Sequence, residues 1–280
     1  MDRGPLLRAL AEDVPRIEEV ALAVAADVYP GLNAAHWLTE LDRIADPIVH
    51  AVEHERGTRA KSRILNERLF DELGFRGNEQ NYYDPRNSYL NEVLERRVGI
   101  PISLAVVMMA VGRRVGLPIE GVGFPGHFLV RVGGARGHFA DPFHAGKILS
   151  RDELVSLAER FEVHARGGDS KGELDPEVLG TYLRPVDERA IAVRMLANLK
   201  HSFERAGDSA RALVVCDRLV DVTDEPHHRR DRGKHALALR AHRAARIDFA
   251  AYLRAVPNAR DAEEIQSLLR RATREEAPLN

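Results

Sequence analysis

The chain has 280 residues, 44% hydrophobic and 30% charged, a globular balance that excludes a disordered or fibrous protein. Its 41 basic and 43 acidic side chains leave a formal net charge of −2, so no whole-molecule field draws it to nucleic acid or an anionic membrane. One cysteine, Cys216, excludes an internal disulfide framework.

The first residues give no signal peptide, because Glu12, Asp13, Arg16, Glu18 and Glu19 interrupt the apolar positions. The longest apolar run, Ile102 to Gly112, is broken only by Ser103 and falls short of the about 20 residues a membrane span needs. A soluble, reduced, cytoplasmic protein is the expectation.

Residues 5–72 read as helices. Leu6, Leu7 and Leu10, then Ile17, Val20 and Ala21, recur at helical spacing, and Pro30-Gly31 breaks the pattern before Asn33 can cap the next helix. Trp37, Leu38, Leu41, Ile44, Ile48 and Val49 continue it. A further segment, Ile64 to Leu73, stops at Gly74, a usual helix terminator. Together residues 1–75 predict a helical cap on the first domain.

The segment from Gly74 to Ser88 is a polar, aromatic, glycine-punctuated loop leading into a helix from Tyr89 to Arg97. Pro101 suits the first position of the next helix, where its missing N–H would be unpaired anyway. That helix, running to about Val115, is apolar on nearly every face and should be buried centrally. Three stretches with strand character follow, Ile119 to Phe124, His127 to Val132 and His138 to Asp141, the last two joined by a glycine-rich hairpin. A helix begins near Arg151, and a polar stretch closes the domain. The boundaries expected are 76–170 for this middle domain and 171–186 for a linker.

From Asp187 the pattern is helical and repeats. Ala210, Leu213, Leu219 and Val222 are matched 34 positions later by Ala244, Ile247, Leu253 and Val256. That is the period of tetratricopeptide units, helical hairpins that bury their apolar faces by stacking. Residues 187–280 therefore predict all-α tetratricopeptide-like repeats.

Asn78, Asn81-Tyr82, the run Asn87 to Asn91, the run Gly99 to Leu104, the run Gly123 to Arg131 and Asp141-Pro142-Phe143 together resemble the transglutaminase-like core of the SirB family. That family's order, core followed by tetratricopeptide-like helices, also fits from about residue 40 onward. The resemblance implies an α+β, papain-like domain with a small antiparallel sheet. It further implies a cysteine at the start of the central helix, a histidine on the next strand and an aspartate on the strand after that. His127 and Asp141 match the last two positions. Such a set works because a nucleophile needs a base within reach and the base needs a carboxylate to fix its tautomer.

At the cysteine position an ungapped match of Gly99 to Ala105 places Pro101. Proline supplies no thiol and removes an N–H that might bind an oxyanion. Ser103 is the substitute nucleophile in the same helical turn, though it points about 200° around the axis from Pro101. The alternative role for Ser103 is to cap the helix or bond neighbouring backbone. His127, Asp141 and Ser103 are thus the candidate catalytic set.

Asn81, Tyr82, Asn87 and Asn91 are candidate ligand-lining residues; the same amides also suit holding a long loop in place. His138, Asp141 and His144 raise a metal site, but on a strand positions 138 and 141 face opposite sides and His144 lies beyond a proline. No metal or cofactor is expected. The basic run from Arg229 to Lys234 reads as a solvated helix start, and Cys216 as a small core residue. Two functions follow. One is a peptide- or protein-binding module, with partners held by the cleft and the repeats, and with no nucleic acid or membrane. The other is an amidase, peptidase or acyl-transferase built on Ser103, His127 and Asp141.

Overall fold

A computed structural model describes residues 4–165 and 175–276. The chain divides into two units, Met1–Ala192 and Val193–Asn280.

In the first unit, helices α1 (Pro5–Ala9), α2 (Ile17–Ala25), α3 (Ala34–His54) and α4 (Thr58–Asn66) form the expected cap. Asn33 caps α3 through its side chain, which accepts from the His36 N–H at 3.3 Å. The last turns after α4, Glu67–Glu72, widen to a π-helix, and Gly74 stops them with φ of +69°. Strand β1 (Arg76–Gly77) pairs in parallel with β2 (Val98–Gly99) across α5 (Leu90–Arg96).

Helix α6 (Pro101–Arg114) is the centre of the unit. Every residue from Pro101 to Gly112 is buried, as its unbroken apolar surface requires. The carboxylate of Glu18 on α2, almost wholly buried, pairs with Arg113 and Arg114 at the far end of α6, Arg114 at 2.9 Å. Against α6 lies an antiparallel sheet of β3 (Ile119–Val122), β4 (Leu129–Val132), β5 (His138–Asp141) and β6 (Lys147–Leu149), in that order. The fourth strand is an addition to the three expected. Lys147-Ile148-Leu149 is too short to show period-two patterning, and it pairs because a turn returns it beside β5, with Asp141 opposite Lys147.

Helix α7 (Arg151–Ala165) covers the sheet, with Leu154 and Ala158 buried against Val122, Phe124 and Leu129. Of the linker expected at 171–186, residues 171–174 lie outside the described residues, and the rest is corrected. Pro176–Tyr182 forms helix α8, capped by Asp175, and its Leu179 joins the same apolar cluster. Pro185 then bridges to Val122, and the Val186 N–H donates to Gly121 O at 2.9 Å. Four apolar side chains, Leu179, Tyr182, Leu183 and Val186, make this stretch part of the first unit rather than a tether.

After α9 (Glu188–Arg205), in which the division between the units falls, come α10 (Ser209–Val222), α11 (Pro226–Ala238), α12 (His242–Ala255) and α13 (Ala262–Glu276). These are the expected helical hairpins, with one change of register. The start of α12 follows that of α10 by 33 positions, and the buried pairs are Ala212 with Ala245, Cys216 with Phe249 and Leu219 with Tyr252. Of the pairs matched at 34, Ala210 and Ala244 are both exposed and Ile247 is half exposed. In an alanine-rich helix a small residue recurs at several spacings, so only burial distinguishes them. The basic run from Arg229 is not simply solvated: Arg232 grips the buried Asp248 with two bonds at 2.7 and 2.8 Å and reaches Asp217 at 2.6 Å.

Candidate functional site

Three side chains converge where β4, β5 and the turn after β5 meet. The chain enters β4 through a turn in which the His127 N–H donates to Phe124 O and Gly126 takes φ of +65°, a conformation that favours glycine. That turn leaves the His127 ring largely buried, with Nε2 2.8 Å from Asp141 Oδ2. Asp141 ends β5 and caps the 3-10 turn Pro142–His144, its Oδ1 accepting from the Phe143 N–H at 3.0 Å. The tight turn carries His144 back over Asp141, because side chains three apart eclipse in 3-10 geometry. His144 Nδ1 sits 2.7 Å from the same Oδ2. Burial pushes the Asp141 carboxyl up, but the hydrogen bonds and charge of His127, and then of His144, outweigh it and hold the group below the usual carboxylate range.

The cluster opens on a cleft of about 960 Å³ between the sheet edge and α7, lined by His127, Asp141, His144, Leu149, Leu157 and Arg160 among others. Leu149 and Leu157 are its apolar side chains among charged and polar ones, with Lys147 and Glu153 paired at 2.6 Å. Phe143 connects the cluster to the loop before α5: its ring lies 6.3 Å from that of His127 and 6.1 Å from that of Tyr82, edge to face in both cases.

Ser103 is not brought to this cluster by any hydrogen bond. Its hydroxyl, fully buried in the first turn of α6, donates to Asn87 O at 2.6 Å, lies 3.1 Å from Ile100 O, and accepts from the Ile100 N–H at 3.0 Å. Gly99 closes over it, since a Cβ there would stand 2.6 Å from Ser103 Oγ. Of the two roles read for this residue, the geometry is that of a helix cap bonded to neighbouring backbone.

The amide-rich loop divides in the same way. Asn87 is buried, donates to Asn81 O at 2.8 Å and Tyr82 O at 3.2 Å, and accepts from Asn78 and Arg96. It holds the loop rather than lining the cleft. Asn91 is buried on α5, Asn81 is exposed with its N–H on Asn78 Oδ1, and Tyr82 meets the ring of Phe143. His138, grouped in sequence with Asp141 and His144, points elsewhere: its Nε2 lies 3.2 Å from the buried Ser62 hydroxyl. The residue that sequence spacing set aside and the structure brings to Asp141 is His144, whose reach past Pro142 depends on the 3-10 turn.

A central apolar helix followed by an antiparallel sheet, with a His–Asp pair at its strand ends and helical hairpins later in the chain, defines an α+β transglutaminase-like domain joined to tetratricopeptide repeats. The chain belongs to the transglutaminase-like superfamily, whose model matches residues 35–197, and a tetratricopeptide repeat model matches residues 199–270. It is 38% identical to a UPF0162 protein of Xylella fastidiosa (strain 9a5c), over 95% of this chain and 94% of that one. A UPF0162 protein of Vibrio cholerae is 31% identical over 91% of this chain and 92% of its own length. F-box only protein 21 of Mus musculus is 46% identical over 102 residues, 33% of this chain and 16% of that protein. No solved structure matches. Among the described residues, no helix is long and apolar enough to cross a membrane.

Proposed function

We propose that this is a cytoplasmic peptide- or protein-binding module of the SirB type, in which the cleft beside His127 holds an extended segment without cleaving it. The observation that carries this reading is the sealed Ser103 hydroxyl, bonded to backbone on the buried side of α6 while His127 and Asp141 face an open cleft. Pro101 takes the place of the thiol, and Cys216, the one cysteine, is buried in the repeats of the second unit. A base and its orienting carboxylate without an activated nucleophile can still bind, since the imidazole and carboxylate offer polar partners beside Leu149 and Leu157. Tetratricopeptide repeats offer a second partner surface of the helix-in-groove kind.

Selection of peptides from a random displayed library on the purified full chain tests this reading, followed by fluorescence anisotropy with Leu157→Gln. Binding weakened about tenfold, or 1.4 kcal/mol, with the peptide's mass unchanged after long incubation, supports it. Failure to select any binding peptide, or release of cleaved peptide, contradicts it. The serine-based hydrolase or acyl-transferase has no observation in its favour beyond the His127–Asp141 pair.

A further inference from the structure

A carboxylate that only orients a catalytic base needs one imidazole. Asp141 has two, His127 Nε2 and His144 Nδ1, at 2.8 and 2.7 Å from one oxygen, while its other oxygen is tied to the Phe143 N–H. We infer that His127, Asp141 and His144 form a binding site for a divalent transition metal ion of the zinc class, with an open coordination position facing the cleft.

The donor set carries the chemistry. Two imidazoles and a carboxylate are the ligands of three-residue zinc sites that leave a fourth position to water or to a bound oxygen ligand, and they also suit cobalt, nickel and iron. The three ligand atoms lie within 4.8 Å of one another. A tetrahedral ion with bonds of about 2.0–2.1 Å holds its ligands about 3.3 Å apart, so the site closes onto a metal through small side-chain shifts. The freedom for those shifts is present: the His144 side chain is 56% exposed, while His127 and Asp141 are 14% and 7% exposed and firmly placed. The bond from the Phe143 N–H to Asp141 Oδ1 is the outer-shell support that a ligating carboxylate requires. With both rings neutral, donation to Oδ2 puts a proton on each facing nitrogen. On binding, each neutral ring turns its lone pair to the ion and carries that proton on its other nitrogen. No charge must be created to admit the metal. His144 lies beyond a single-imidazole dyad, and the metal reading gives it a ligand's role.

The inference is independent of peptide binding, because the ion is titrated alone. Tag-free full-length protein is stripped with chelator and titrated with Co²⁺, read by visible d–d absorption, and with Zn²⁺, read by equilibrium dialysis. The expected result is one ion per chain, with the intense visible band of four- or five-coordinate cobalt that Zn²⁺ bleaches. Affinity falls at least about tenfold in His144→Ala, a surface change that leaves the fold intact by circular dichroism, and likewise in His127→Gln. His50 and His54, one turn apart on the exposed face of α3, are the competing chelate, and the double variant His50→Ala, His54→Ala is expected to bind unchanged. Absence of stoichiometric binding, or binding insensitive to His144→Ala, overturns the inference.

Discussion

Ser103 offers one hydroxyl, and the fold uses it twice, as a donor to Asn87 O and as an acceptor for the Ile100 N–H. Ser103→Ala strands two buried backbone groups, so we expect it to cost about 1–3 kcal/mol in urea unfolding, where a catalytic serine would leave stability nearly unchanged. The residue type and its place in the helix were readable from sequence, and so were both of its roles. The geometry of the cap lies in the bond to Asn87 O, sixteen residues away, a contact in space that spacing along the chain does not encode. His144 shows the opposite case: proline before a histidine reads as a break, yet Pro142 starts a turn that returns the ring to Asp141. Cys216 behaves as its apolar setting implies. Burial pushes its thiol up to about 12, so we expect native protein to react negligibly with a disulfide reagent at neutral pH and to yield one thiol on unfolding.

At the scale of elements, the helices were read closely because long amphipathic or wholly apolar patterns carry their own signal, as α3 and α6 do. The short pieces were not. The strand β6 and the helix α8 exist because tertiary partners complete them, β5 in one case and the apolar cluster under α7 in the other. A buried ion pair and a buried histidine each have a measurable consequence. Glu18 on α2 is almost fully buried and meets Arg113 and Arg114 of α6. Glu18→Ala removes the carboxylate that both arginines share, while Arg114 keeps Asp42 at 2.6 Å, and is expected to destabilise the chain by about 1–3 kcal/mol. His228 on α11 is held neutral by burial, then by the charges of His227 and Lys200, which push it down to about 4. The unfolded chain takes up that proton near pH 6.5 while the folded chain resists it. The contribution is therefore intact above that pH and lost as pH falls towards about 4. His228→Gln should flatten the fall in denaturation midpoint between pH 7 and pH 5 relative to wild type, provided both variants are compared in the same buffer series.

For the whole molecule, the match to the UPF0162 proteins of Xylella fastidiosa and Vibrio cholerae spans both units and more than nine tenths of their own length, whereas the F-box protein shares only a third of this chain. The order of the two units was visible in sequence from the change from strand to helical pattern near residue 187; their boundary was not, because α8 and Pro185 belong to the first unit despite their polar approach. The proposed function rests on reading His127 as a base without a nucleophile beside it. The most direct measurement is labelling of the full-length protein with a fluorophosphonate probe, comparing wild type, Ser103→Ala and His127→Ala, each verified as folded. We expect no adduct on Ser103 in folded wild type and no difference among the three. An adduct on Ser103 that disappears with His127→Ala would show an activated serine and contradict the binding-module reading.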